Sequence, residues 1–283
     1  MHSTSSVVYI AVDSLLPERG KSAPGFDEFT SALDHEGIPA VWLTSRSRLQ
    51  FDEPRRKGGH AHPFIAEDGC AVYLPEDYFH LRPDSTGSRK APTMRRGRFT
   101  CVPIAKPLPA AADALEALSE ETEVPIVTLR SLSARELAHN TGLPPREAEL
   151  ARQRDFDELF FFAGASQAQI ERFLADGRKL EVQSRQRGVL WSAAIGPSVP
   201  RCVAALSKLY DRALRHHAPS VAIATEDLAP SLFPCCDRSI LLADRTSEER
   251  STAQAFPRAR EIPLLRPHVW EQVLESVAPK LGR

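Results

Sequence analysis

The sequence predicts an α/β protein with parallel strands, carrying a small α+β unit in its middle. Three observations predict it. The run over residues 7–12, VVYIAV, is short, β-branched and unbroken, as in a strand buried on both faces. A helical stretch over 26–36 and a second apolar run over 39–43 follow it, which makes a right-handed βαβ unit. The same βα rhythm returns from Val189, after a middle block of different composition.

The elements follow in order. In the first helix Phe26, Phe29 and Leu33 recur at helical spacing, and Gly37 sits where a left-handed residue ends a helix. The strand over 39–43 runs into the polar cluster Thr44, Ser45, Arg46, Ser47, Arg48. Two short apolar runs, 64–65 and 71–74, flank a turn at Glu67, Asp68 and Gly69. Residues 80–98 are rich in Arg, Pro, Ser and Gly and read as a linker or loop. Helices are expected over 110–123 and 133–153, the second opened by the capping-box pair Ser133 and Glu136. Strands are expected over 160–163 and 179–182. Beyond Val189, an amphipathic helix over 203–214, strands over 221–224 and 239–243, and a closing helix over 268–277 complete the chain.

Composition narrows the function. The 283 residues are 42% hydrophobic and 26% charged, ordinary for a globular protein and long enough for two domains. The net charge of −1 gives no reason to expect binding to nucleic acid or to an anionic membrane. No apolar run has the length of a membrane helix. The N-terminal stretch lacks a basic region and its apolar run stops at Asp13, so it does not read as a signal peptide. Five irregularly spaced cysteines, an odd number with no CxxC pair, point to reduced thiols and a cytoplasmic protein.

Ligands of wound parallel sheets sit at the carboxyl ends of the strands. Three such ends carry polar residues here: Asp13, the 44–48 cluster, and Thr225, Glu226, Asp227. That pattern alone names no reaction.

Three longer segments carry a resemblance. PFIAEDGCAVYLP (63–75) is similar to the PFIxENGGAIYIP segment of the mannosyl-3-phosphoglycerate phosphatases, a family of the haloacid dehalogenase superfamily. GIPAVWLTSRSR (37–48) resembles that family's GIPVVxxSSKTR. TGLPPREAELARQRDFDE (141–158) resembles its TGLxxxxAxLAxxREFDEPF. The likeness covers the first 160 residues or so well and the rest weakly. It implies a Rossmann-like core over 1–85 and 190–283 with a cap domain inserted over 86–189. It also implies hydrolysis of a sugar-linked phosphoglycerate with magnesium. The chemistry there needs an aspartate nucleophile, a second aspartate two residues on as acid and base, a hydroxyl and a lysine on the phosphate, and acids that hold the metal.

The chain departs from this pattern. The family's hhhhDxDGTLL aligns with VVYIAVDSLLP, which puts Ala11 at the nucleophile and Asp13 at the acid–base position. An alanine has no atom that can attack phosphorus. The family's GxDKGxAV aligns with 196–203, which puts Val199 at the lysine, with Arg201 two residues on as a substitute cation. The magnesium motif GDSPND aligns with 224–229, where Thr225 and Ala229 replace its acids. By resemblance, Thr44, Ser45, Arg46, Arg154, Glu158 and Arg201 are the substrate-binding candidates, and Asp13, Glu226 and Asp227 the candidates for magnesium. The expected ligand is a small phosphorylated sugar or glycerate.

Three readings follow. In the first, the chain binds such a ligand, or a protein partner, with little or no turnover. In the second, Asp13 serves a working magnesium-dependent phosphatase. In the third, the chain is a regulatory or scaffold subunit. Elsewhere, the acidic cluster Asp155, Asp157 and Glu158 beside Arg152 and Arg154 reads equally as a substrate contact or a solvated helix end. Arg82, Arg89, Lys90, Arg95, Arg96 and Arg98 read as a solvated loop, and His60 and His62 as surface histidines.

Overall fold

Each residue of β1 (Val7–Ala11) is buried, which is why its sequence shows no polar alternation. The computed structural model describes residues 6–16, 22–79, 93–243, 256–264 and 267–278. After β1 come α1 (Phe26–His35), β2 (Ala40–Leu43), α2 (Arg48–Lys57), β3 (Phe64–Ala66) and β4 (Ala71–Pro75). A hairpin follows, β5 (Met94–Arg96) and β6 (Phe99–Pro103). The middle block holds α3 (Leu108–Thr122), β7 (Ile126–Thr128), α4 (Ala134–Thr141), α5 (Pro145–Ala151), β8 (Glu158–Phe162), α6 (Gln167–Lys179), β9 (Val182–Arg187) and β10 (Leu190–Ile195). The chain closes with α7 (Val199–Leu214), β11 (Ser220–Ala224), α8 (Ala229–Leu232), β12 (Arg238–Ala243), β13 (Arg260–Pro263) and α9 (Val269–Val277).

The larger sheet has the order β13-β12-β11-β1-β2-β3-β4-β6-β5. Its strands are parallel from β13 to β3 and antiparallel beyond. Strand order reverses at β1, whose neighbours are β2 and β11, so a crevice opens at the carboxyl ends of these three strands. Period-two alternation splits β1 between two cores. Val8 and Ile10 join Phe26, Trp42, Phe51 and Trp270 on one face. Val7, Tyr9 and Ala11 join Val199, Val203 and Leu206 of α7 on the other.

The smaller sheet is antiparallel, in the order β7-β8-β10-β9. Residues of α3 and α6 pack on one of its faces around Phe160 and Phe173. Residues of α4 and α5 pack on the other around Leu159. The sequence boundaries of the inserted unit were 86 and 189. The 94–103 hairpin pairs with β4 of the larger sheet, whereas Leu190–Ile195 belongs to the smaller one.

The structure corrects several elements. The helix expected over 133–153 is two helices, because Gly142 turns left-handed at φ 70° and Pro144 starts the next. The strand expected over 179–182 is the end of α6 followed by the start of β9. The loop expected over 80–98 contains β5, while residues 80–92, with Arg82, Arg89 and Lys90, lie outside the described residues. His60 is not a surface residue. It stacks on Trp42 at 4.1 Å, its Nε2 meets the Ala40 carbonyl at 2.7 Å, and burial pushes its pKa down to about 3. His62 bridges Asp34 and the Tyr78 hydroxyl, both at 2.6 Å. Among the described residues, no helix is long and apolar enough to cross a membrane. All five cysteines are free.

Candidate functional site at the core–cap crevice

The register of β1 against β2 ends with Ala11 opposite Leu43, and the Val12 amide closes it on the Leu43 carbonyl at 3.0 Å. Asp13 is therefore the second residue beyond the strand. The Thr44 hydroxyl donates to Asp13 Oδ1 at 2.5 Å, and the Ser45 amide donates to Oδ2 at 2.8 Å. The Arg46 amide donates to Thr44 Oγ1 at 3.2 Å, and its buried guanidinium donates to the Leu16 carbonyl. Ser47 then caps α2 through a capping box with Gln50. The turn that follows β2 is thus fixed from both ends, and Asp13 fills the donors that it presents.

Ala11 is 2% exposed, Val199 1% and Ala229 0%, and all three belong to one apolar cluster. The position expected to hold an attacking carboxylate and the position expected to hold a lysine are therefore both part of a dry core. A charge there would have no partner and a large desolvation cost.

The loop after β3 comes next. Glu67, Asp68 and Gly69 all have positive φ, at 51°, 55° and 92°. Only glycine fits the third position, since a Cβ there would lie 2.6 Å from the Val199 amide nitrogen. The left-handed run turns both acids inward, where they are buried. Glu67 accepts the amides of Asp155, Phe156 and Asp157 at 3.1, 2.8 and 3.0 Å. Burial and the nearby Asp157 carboxylate push its pKa up to about 8. Asp68 accepts a charged hydrogen bond from Arg187 of β9, and Arg185 stands 3.9 Å away. Burial pushes the Asp68 carboxyl above its usual range, against the pull of Arg187.

Arg154 joins the two halves. Its buried guanidinium pairs with Asp157, donates to the Ser45 carbonyl at 2.6 Å and reaches Gln50 Oε1 at 3.0 Å. A cavity of 370 Å³ lies beside it, lined by Ser45, Arg46, Asp68, Arg154, Arg187 and Ser192 among others. That volume suits a small ligand. Of its three guanidiniums, Arg154 is paired with Asp157 and Arg187 with Asp68, while Arg46 meets no carboxylate among the described residues, so the lining keeps a positive charge.

Of the sequence candidates, Ser45, Arg46 and Arg154 line this cavity, and Thr44 and Asp13 lie next to it along the chain and through hydrogen bonds. Glu158 does not line it: it is buried on β8 and pairs with Arg130 at 3.2 Å, with burial raising its pKa to about 7. Arg201 lines a separate cavity with Lys106 and Arg185. Glu226 and Asp227 lie in the turn beyond β11, where Thr225 Oγ1 is 3.4 Å from Ser14 Oγ. Glu67, Asp68 and Arg187 escaped the sequence reading as functional residues. The available signals were two adjacent acids in a turn between buried strands, and the Arg185–x–Arg187 alternation on one face of β9.

Magnesium needs only one or two carboxylates beside water and phosphate oxygens, and Asp13 offers one. Each oxygen of Asp13 accepts one hydrogen bond, from the Thr44 hydroxyl and the Ser45 amide, and keeps a lone pair. Among the described residues, no three His, Cys, Asp or Glu side chains converge to hold a metal ion.

Comparisons with known proteins bear on the fold and on sequence kinship. No family model matches the chain. It is 28% identical over 130 residues to a glucosyl-3-phosphoglycerate/mannosyl-3-phosphoglycerate phosphatase of Persephonella marina, covering 45% of this chain and 44% of that protein. It is 27% identical over 158 residues to a mannosyl-3-phosphoglycerate phosphatase of Pyrococcus furiosus, covering 55% and 60%. The chain thus spans about half the length of the curated relatives it matches. A haloacid dehalogenase-like hydrolase of B. subtilis superposes with TM-score 0.61 at 13% identity, covering 98% of this chain and 100% of that one. One from Bacteroides thetaiotaomicron does so with TM-score 0.61 at 10% identity, covering 98% and 99%. The chain therefore has the haloacid dehalogenase-like fold and is related in sequence to the mannosyl-3-phosphoglycerate phosphatases.

Proposed function

We propose that this chain binds a small phosphorylated sugar or glycerate anion at the core–cap crevice and turns it over slowly or not at all. One observation carries the reading: Ala11 ends β1 inside an apolar cluster with Val199 and Ala229, while Ser45, Arg46, Arg154 and Arg187 still line a cationic cavity beside it. Binding chemistry is kept where covalent chemistry has no nucleophile. The phosphate would meet the guanidiniums of Arg46 and Arg187, and the Ser45 hydroxyl would add a neutral donor. The names of the relatives support the ligand class, glucosyl- or mannosyl-3-phosphoglycerate. Five free cysteines support a cytoplasmic setting.

A second reading draws on a different observation. Asp13 is held by the Thr44 hydroxyl and the Ser45 amide, at the tip of the crevice, and a displaced Asp13 could act as acid, base or nucleophile in a working phosphatase.

Calorimetric titration with mannosyl-3-phosphoglycerate tests the binding site. The wild-type chain should bind saturably, and Arg187→Met should weaken binding at least ~tenfold, the size of one lost charge-assisted contact. Equal affinities of the two would reject the crevice as the site.

A further inference from the structure

We propose a second anion site, at the hinge where the chain crosses between the two sheets, for a compact polyanion such as a pyrophosphate or phosphate-ester group. A cavity of 690 Å³ lies there, and it shares no lining residue with the crevice described above. Both crossings border it. The first leaves β6 through Ile104 and Lys106, the second leaves β10 through Gly196, and the Lys106 amide bonds the Ile195 carbonyl at 2.9 Å to hold them together.

Four cations converge on this cavity from separate parts of the fold: Lys106 on the first crossing, Arg178 at the end of α6, Arg185 on β9 and Arg201 in the first turn of α7. One acid, Glu181, lines it with them. Elsewhere the arginines at 96, 98, 130, 152, 154 and 187 each meet a carboxylate. Among the described residues, Lys106 and Arg178 meet none, and neither does Arg201, whose Nη1 reaches the Ile104 carbonyl at 3.4 Å. Arg185 stands 3.9 Å from an Asp68 oxygen that Arg187 already holds. Lys106, Arg178 and Arg201 are exposed and Arg185 half-buried, so a charged ligand reaches them directly from water.

Like charges gathered around a cleft repel one another until an anion enters, and an anion there gains from all of them at once. Guanidinium forks suit the paired oxygens of a phosphate. Because Arg178 and Arg185 belong to the smaller-sheet unit and Arg201 to the larger, one bound polyanion would tie the two units together.

The test is calorimetric titration of the full chain with inorganic pyrophosphate at low ionic strength, where such contacts are least screened. The variants are the exposed double charge reversal Arg178→Glu with Arg201→Glu, and Arg187→Met in the crevice, each checked for folding by circular dichroism. The site predicts saturable binding by the wild type, a loss of about tenfold or more in the double variant, and retention in Arg187→Met. No saturable binding by the wild type would overturn it. So would a double variant that binds as the wild type does, or equal weakening by both variants.

Discussion

The Thr44 hydroxyl donates to the Asp13 carboxylate at 2.5 Å, across the ends of two adjacent parallel strands. Asp13 thereby takes the hydroxyl and, through Ser45, the amide that would otherwise face an incoming anion. Two residues back, Ala11 ends its strand in a dry cluster. At this crevice, then, Asp13 holds the Thr44 hydroxyl and the Ser45 amide, and the strand itself ends on an alanine.

Restoring a carboxylate at the strand tip should not restore chemistry. Ala11→Asp would place an unpaired acid in the cluster that holds Val199 and Ala229. A buried charge without a partner costs on the order of 3–5 kcal/mol. The expected result is a large fall in the denaturation midpoint and no phosphate release. A variant as stable as the wild type would show that water reaches this position.

Glu67 should make stability depend on pH in a defined direction. Its folded pKa, raised by burial and by Asp157 to about 8, lies above the ordinary value of 4.5. The unfolded chain therefore loses this proton first as pH rises, and the contribution of Glu67 falls between about pH 4.5 and about pH 8. Glu67→Gln keeps an acceptor for the amides of 155–157 and removes the ionisation. Thermal melts across that range should show a flatter pH dependence for Glu67→Gln than for the wild type. Parallel curves would place the ionisation elsewhere.

The Asp68–Arg187 pair should couple the two sheets. Arg187→Ala leaves the buried Asp68 without its nearest cation, and such a loss costs about 3–5 kcal/mol. On an Asp68→Asn background the same substitution should cost far less. A double-mutant cycle by denaturant unfolding measures the difference, and additive effects would show that the pair contributes nothing.

Much of the fold was legible because β1, β2 and β11 are unbroken apolar runs spaced by amphipathic helices. The hairpin edge was not, since Met94–Arg96 is a polar edge strand held by pairing with β6 and not by burial. The 133–153 helix was misread because its polar–apolar pattern continues through Gly142 and Pro144, which break the backbone without breaking the pattern. At the site, Asp13, Thr44, Ser45, Arg46 and Arg154 were named from position and resemblance. Glu67 was not, because its role depends on three peptide amides nearly ninety residues away in sequence. The separation of Arg201 from the crevice was equally invisible, since a spacing of two from Val199 does not say which way a helix turns its side chains.

The central claim, binding without turnover, is tested most directly by phosphate release from mannosyl-3-phosphoglycerate and glucosyl-3-phosphoglycerate with magnesium present, read beside thermal stabilisation by each and beside Asp13→Asn. The account predicts stabilisation of the wild type by at least one of them and no release above that of the Asp13→Asn variant. Sustained release by the wild type that Asp13→Asn abolishes would contradict it and make Asp13 the working group of an active phosphatase.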